Sequence, residues 1–246
     1  MAADLPASPR LQAVLFDLDG VVADSHPIHE RAWKALFQEQ GLDPSSLNVD
    51  FIYGGRSRND ILRHYLGPLS DSELRSHGRR KDELYHSLAH DLELKAGLLR
   101  VLDQLDDAGL RYALASSAGK RRALQTLRKF GIKSRFAVIL AGEDVDARKP
   151  APDVFLLAAA RLGVAPQNCL VVEDSVAGVQ AARAAGMKCL GYAPAERAGE
   201  LLAAGADDVI SELPDQALEC FTRVFGGGDS RSALPACKDA GTLQGA

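Results

Sequence analysis

Five short apolar runs constrain the fold of this chain more than any other feature: Ala13-Val14-Leu15-Phe16, Tyr112-Ala113-Leu114-Ala115, Ala137-Val138-Ile139-Leu140, Leu170-Val171-Val172 and the weaker Cys189-Leu190-Gly191-Tyr192. None alternates apolar with polar residues, so none suits a strand with one face in water. Strands buried on both faces need helices above and below, and the segments between the runs can supply them. Helical periodicity fills 98–108 before Gly109, 119–130 before Gly131, 152–162 before Gly163 and 176–185 before Gly186. A glycine just past the last periodic residue is a usual end for a helix. The alternation predicts an α/β fold with a doubly wound, Rossmann-like parallel sheet.

Almost a hundred residues part the first run from the second, far more than one crossover requires. Most of that stretch is helical in pattern, which predicts an inserted α-helical cap over 25–96 between core segments 1–24 and 97–225. Its first helix spans about 26–40, with Ile28, Ala32, Trp33, Leu36 and Phe37 on one apolar stripe and Gly41 as the stop. A later helix opens at Ser70-Asp71-Ser72-Glu73, which has capping-box spacing, and continues through Leu74, Leu84 and Leu88. Residues 226–246 begin with three glycines and hold few large apolar side chains, so a disordered tail is expected there.

Charge and cysteine content exclude several classes. Against 33 Asp and Glu stand 29 Lys and Arg, a net charge of -4, so no global basic field exists to hold nucleic acid or an anionic membrane. No apolar run approaches the ~20 residues of a membrane span, and Met1 to Arg10 lacks the order of a secretory signal. A cytoplasmic monomer is expected. Cys169, Cys189, Cys220 and Cys237 are widely spaced, with no pairing suited to zinc, and are expected as buried reduced thiols.

An open parallel sheet holds its ligands at the carboxyl ends of its strands. Past the first run stand Asp17, Asp19 and Gly20; past the second Ser116, Ser117 and Gly119; past the third Lys149; past the fourth Glu173 and Asp174. This is an inventory for phosphoryl transfer, in which acids hold a hard cation, a hydroxyl and a lysine hold phosphate oxygens, and one carboxylate attacks phosphorus. Asp17, first past the strand, is the candidate nucleophile. Asp19, two residues on, is the candidate acid/base. Glu173 and Asp174 with Asp17 are the candidate ligands for Mg²⁺, and Ser116, the amides near Ser117 and Lys149 the candidate phosphate holders.

Phe16-Asp17-Leu18-Asp19-Gly20-Val21, Ala115-Ser116-Ser117, Lys149-Pro150-Ala151-Pro152-Asp153 and Val172-Glu173-Asp174-Ser175 resemble, in order, the four signatures of the haloacid dehalogenase superfamily. The likeness is greatest to its β-phosphoglucomutase and sugar-phosphate phosphatase branch, which carries a helical cap in the same place. The resemblance implies an aspartyl-phosphate enzyme acting on a small phosphorylated sugar. It also implies the Asp19 main-chain carbonyl as a metal ligand, and cap contacts from His29, Trp33 and Arg58, with a further basic residue near Arg80 or Lys81. Ala118 and Lys120 depart from the mutase pattern, as does Ala96 at the cap exit. Hydrolysis is therefore favoured, with conversion of β-glucose 1-phosphate to glucose 6-phosphate as the alternative.

Other readings are weaker. A receiver-type signalling module has no inserted cap, and a non-catalytic sugar-phosphate sensor would not need both Asp17 and Asp19. His86 and His90 share the i, i+4 spacing of a metal pair but lack a third ligand and are expected at the surface. Arg79-Arg80-Lys81 and Lys120-Arg121-Arg122 read as solvated helix faces, although the first is well placed in a cap that closes over an anionic substrate.

Overall fold

The computed structural model describes residues 10–48, 51–52 and 57–226. The expected tail lies outside them except for Gly226, which closes the last helix instead of opening a tail; Cys237 lies outside as well. In chain order, β1 is Ala13–Phe16, β2 Ala23–Asp24, α1 His26–Glu39, α2 Arg58–Leu66, α3 Asp71–Leu88 and β3 Glu93–Leu94. Then follow α4 Leu98–Asp107, β4 Arg111–Ala115, α5 Lys120–Lys129, β5 Val138–Leu140, α6 Asp153–Leu162 and β6 Cys169–Glu173. The chain continues through α7 Val176–Ala184, β7 Lys188–Tyr192, α8 Ala195–Ala204, β8 Asp208–Ile210 and α9 Ala217–Gly226.

Six strands form one parallel sheet in the order β5-β4-β1-β6-β7-β8. Side chains of a strand alternate between faces, and both faces here are apolar. Val14, Phe16, Leu114 and Val172 pack under α4, α5 and α9, while Ala13, Leu15, Ala115 and Val171 pack under α6, α7 and α8. Such double burial explains the unbroken apolar runs. The two end strands are the exceptions: Val138 and Ile139 of β5 and all three residues of β8 are half-buried, because these strands end the sheet. The glycine stops hold, and Gly163 closes α6 in the left-handed region at φ 66°. Cys169, Cys189 and Cys220 are buried free thiols, as expected.

From β1 the chain adds β4 and β5 on one side and β6, β7 and β8 on the other, so the topology reverses at β1 and opens a crevice beyond its carboxyl end. The insertion leaves from this crevice. Its two ends form an antiparallel ribbon, with Ala23 opposite Leu94 and Asp24 opposite Glu93. Two-residue strands have no periodicity, so the ribbon was not expected.

Within the insertion, Trp33, Leu36, Phe37, Ile61, Leu62 and Leu74 bury one another across α1, α2 and α3. Ser70 and Glu73 exchange the two bonds of a capping box, the Ser70 amide donating at 2.8 Å and the Glu73 amide at 3.4 Å. At the exit, Lys129 of α5 donates to the carbonyls of Ala89, His90 and Leu92, tying the end of α3 to the core. Among the described residues no helix is long and apolar enough to cross a membrane.

Candidate active site

The carboxyl ends of β1, β4 and β6, with the loop after β5, bring Asp17, Ser116, Glu173, Asp174 and Lys149 to one cavity of about 600 Å³. Lys149 is its pivot. Its ammonium, with a side chain 4% exposed, donates to Asp17 Oδ1 at 2.6 Å, Glu173 Oε1 at 2.7 Å and the Ala115 carbonyl at 2.9 Å. Burial opposes its charge, but Asp17 and Glu173 more than offset this and raise its pKa. Burial raises Asp17 to about 6 despite Lys149, with Glu173 and Asp19 pushing the same way.

Glu173 has no free oxygen. Oε1 receives Lys149, and Oε2 accepts both the amide and the hydroxyl of Ser175 at 2.9 Å. Ser175 in turn caps α7 by accepting the Gly178 amide at 3.0 Å. Gly178 must lack a side chain: a Cβ there would lie 1.8 Å from Glu173 Oε1. Gly178→Ala is expected to lower phosphate-releasing kcat/KM by about 100-fold through misplacement of Lys149, and stability by about 1–3 kcal/mol. Alanine otherwise favours a helix interior, so a denaturant midpoint that rises with activity kept would contradict this packing.

Asp19 lies 24% exposed by its side chain and is enclosed by donors. Arg122 grips it with both terminal nitrogens, at 2.5 Å to Oδ1 and 2.6 Å to Oδ2, and Ser25 donates to Oδ1 at 2.7 Å. Burial alone would raise its pKa, but Arg122 and His29 hold the carboxylate well below the usual range. The Asp19 amide donates to Asp17 Oδ2 at 2.9 Å, fixing the relation between the two acids. Gly20 then turns at φ 77°, and a Cβ there would fall 1.9 Å from Asp174 Oδ2.

From the insertion, His29 comes within 3.5 Å of Asp19 Oδ1 through Nε2, while its Nδ1 meets Lys81. Burial and the Lys81 charge lower His29 to about 3, leaving a neutral imidazole. Lys81, also buried, is lowered to about 7 by burial and by Arg122. The basic position expected at Arg80 or Lys81 is thus Lys81; Arg80 points outward to Glu39 and Glu83. Trp33 stacks on Phe37 in the core of the insertion and also edges the cavity. Arg58 lines the cavity while bonding Asp82 at 2.9 Å.

The sequence reading missed two inward residues. Arg122, assigned to a solvated helix face, turns into the cavity, and His26 bonds Asp174 Oδ2 at 3.0 Å through Nε2. Only the apolar side of α5, Ala123, Thr126 and Leu127, marks which way Arg122 faces. Ser116 is buried, its Oγ accepting the Ala118 amide at 3.1 Å, and Ser117 lines the cavity beside it. His86 and His90 lie at the surface, and among the described residues no group of three or more His, Cys, Asp or Glu is gathered for a metal. The all-oxygen donors Asp17 and Asp174, each raised by burial and by neighbouring carboxylates, nevertheless suit a hard divalent cation once Asp174 leaves His26.

A reversing parallel sheet with acids, a buried lysine and hydroxyls at its carboxyl edge defines an open α/β protein with its cavity at the switch point. Residues 14–192 match the haloacid dehalogenase-like hydrolase family, and the chain belongs to it. It is similar to hexitol phosphatase A of Escherichia coli, 34% identical over 76% of this chain and 86% of that one. The β-phosphoglucomutase of Bacillus subtilis is 32% identical over 92% of this chain and 100% of its own. A mutant CbbY of Rhodobacter sphaeroides, crystallised with xylulose 1,5-bisphosphate, superposes with a TM-score of 0.70 at 28% identity, over 82% of this chain and 94% of that one. The chain is an enzyme of this family.

Proposed function

We propose that the enzyme hydrolyses a small sugar phosphate through an aspartyl phosphate on Asp17. The observation that carries this reading is the buried Lys149 held between Asp17 and Glu173 at the cavity floor. A lysine so placed neutralises an incoming phosphoryl group and aims the Asp17 carboxylate at it. An Asp17 oxygen bonds to phosphorus as the sugar oxygen leaves, and Asp19, having left Arg122 and taken up a proton from solvent before the cap closes, delivers the proton that oxygen needs. Water then attacks the same phosphorus, Asp19 takes the water's proton, and phosphate departs with Asp17 restored. Ser116 and the amides around Ser117 hold phosphate oxygens.

Mg²⁺ fits Asp17, Asp174 and the Asp19 carbonyl, with Glu173 retaining Lys149 beside them; when bound it would offset the repulsion between carboxylate and phosphate. The segment 25–96 acts as a cap over the core formed by 1–24 and 97–225, excluding bulk water and offering His29, Trp33 and Arg58 to the sugar. Transfer to a second sugar hydroxyl instead of water, as in a mutase, is favoured by one observation: His29 of the cap stands within 3.5 Å of Asp19.

Phosphorus NMR with Mg²⁺ and a panel of sugar phosphates, including β-glucose 1-phosphate with a trace of its bisphosphate, separates the two. Free phosphate, lost on adding EDTA and regained with Mg²⁺, is the expected result. Glucose 6-phosphate without free phosphate would establish the mutase, and no turnover of any substrate would overturn the reading.

A further inference from the structure

We infer that Lys81 is a carbonyl-capturing amine, a site at which small hydroxyaldehydes, the open-chain form of short sugars, become bound to the protein as an imine. This goes beyond the phosphoryl-transfer reading and stands apart from it, since neither a phosphate ester nor a metal takes part.

An ordinary lysine keeps its ammonium in water or against a carboxylate. Lys81 is 5% exposed, yet it borders the cavity of about 600 Å³. The carboxylates that could pair with it are held by other cations, Asp82 by Arg58 at 2.9 Å and Asp19 by Arg122. Its amine instead lies 5.4 Å from the ring centre of Trp33 and 5.2 Å from that of Tyr85, whose ring also carries the Arg122 guanidinium at 5.1 Å. Burial and then Arg122 drive its proton off, and Arg58 presses the same way against the pull of Asp82 and Asp19, which leaves Lys81 at about 7. Apolar enclosure and a neighbouring cation are the two conditions that make a lysine nucleophilic near neutral pH. The third is a free lone pair. His29 is a neutral imidazole whose Nδ1 meets the amine, and an amine that donates an N–H there keeps its own lone pair for another atom. That lone pair bonds to the aldehyde carbon as the carbonyl electron pair moves to oxygen. Both amine hydrogens then leave with that oxygen as water, and a C=N bond remains. No electron donor or acceptor is required, and water reverses the step, so occupancy follows the aldehyde concentration. Hydroxyl groups on the aldehyde suit a wall that also carries Ser57, Asp60 and Ser117.

The test incubates the full chain briefly with glyceraldehyde at a low, sub-saturating concentration, quenches with excess sodium borohydride to fix every imine present as a stable amine, and reads each lysine by peptide mass spectrometry. Lys133, exposed on the same chain, is the internal reference. At pH 7 an amine near 7 is about half neutral, whereas an ordinary lysine is neutral to about one part in 2,500. Restricted access and lower basicity take back part of that advantage, and Lys81 is expected to be occupied at least about tenfold more than Lys133. Between pH 6 and pH 9 its occupancy should level off above about 8, while that of Lys133 keeps climbing. In concentrated urea the two should become equal, because the advantage comes from the folded surroundings. Occupancy of Lys81 at or below that of Lys133 overturns the inference. So does a preference that persists in urea, which would trace to Arg79 and Arg80 beside it in sequence, or a label gathered on Lys149. None of these outcomes depends on whether the protein turns over a phosphate ester, so this inference and the proposed function can fail separately.

Discussion

Asp17→Asn is expected to lower phosphate release from an aryl phosphate by at least about 10,000-fold while the melting temperature holds or rises. The amide keeps the shape of the carboxylate and can still accept a bond from Lys149, but it cannot attack phosphorus. The stability half of the expectation comes from burial. Burial, followed by the nearby Glu173 and Asp19, raises Asp17 to about 6 against the pull of Lys149. A carboxyl raised on folding contributes stability that is present below the ordinary carboxylate range and is lost as pH rises through about 6. Asparagine has no such loss. Melting curves of both proteins in EDTA at pH 5 and pH 8 should therefore show a gap in favour of the variant that widens at the higher pH. A variant that keeps activity, or one that melts lower at pH 8 only, would contradict the assignment.

Lys149→Met carries the second large effect and reverses the pattern, because activity and stability fall together. Methionine fills the volume but leaves Glu173, 1% exposed, facing Asp17 with no cation between them. An ion pair broken from one side in the interior costs about 3–5 kcal/mol, since the remaining charge stays buried. Loss of the positive charge at the phosphoryl group should also lower kcat by about 100- to 1,000-fold. A second change separates the two effects. Lys149→Met with Glu173→Gln removes the stranded charge, so the denaturant midpoint should recover much of its loss while turnover stays low. Recovery of turnover would show that Lys149 acts only as a strut.

Much of this site is legible in the sequence because the sheet does the placing. Once β1, β4 and β6 are recognised as apolar runs, the residues that follow them must meet at one edge, so Asp17, Ser116, Glu173 and Asp174 come together with no knowledge of the loops. Lys149 follows a loop rather than a strand, and its place depended on the motif around it. Helices give no such guidance. Arg121 and Arg122 differ by one step of about 100° around α5, one exposed and the other turned against Asp19, and a run of three basic residues does not say which. The same holds for Lys81 beside Arg80, and for His26, whose partner Asp174 lies far along the chain. The β2–β3 ribbon and β8 escaped because two or three residues cannot show a period.

The β2–β3 ribbon has a consequence for how such an enzyme diversifies. The inserted segment leaves and rejoins the core through two strands that face each other residue for residue, so its entry and exit are neighbours in space. A segment joined that way can be lengthened, shortened or replaced while the sheet keeps its register, as domain insertions do where chain ends lie close together. The acids at the ends of β1 and β6 and the lysine after β5 stand on the other side of that joint. On the proposed function, with the inserted segment meeting the sugar and the sheet edge breaking the bond, a new substrate can be acquired without relearning the reaction.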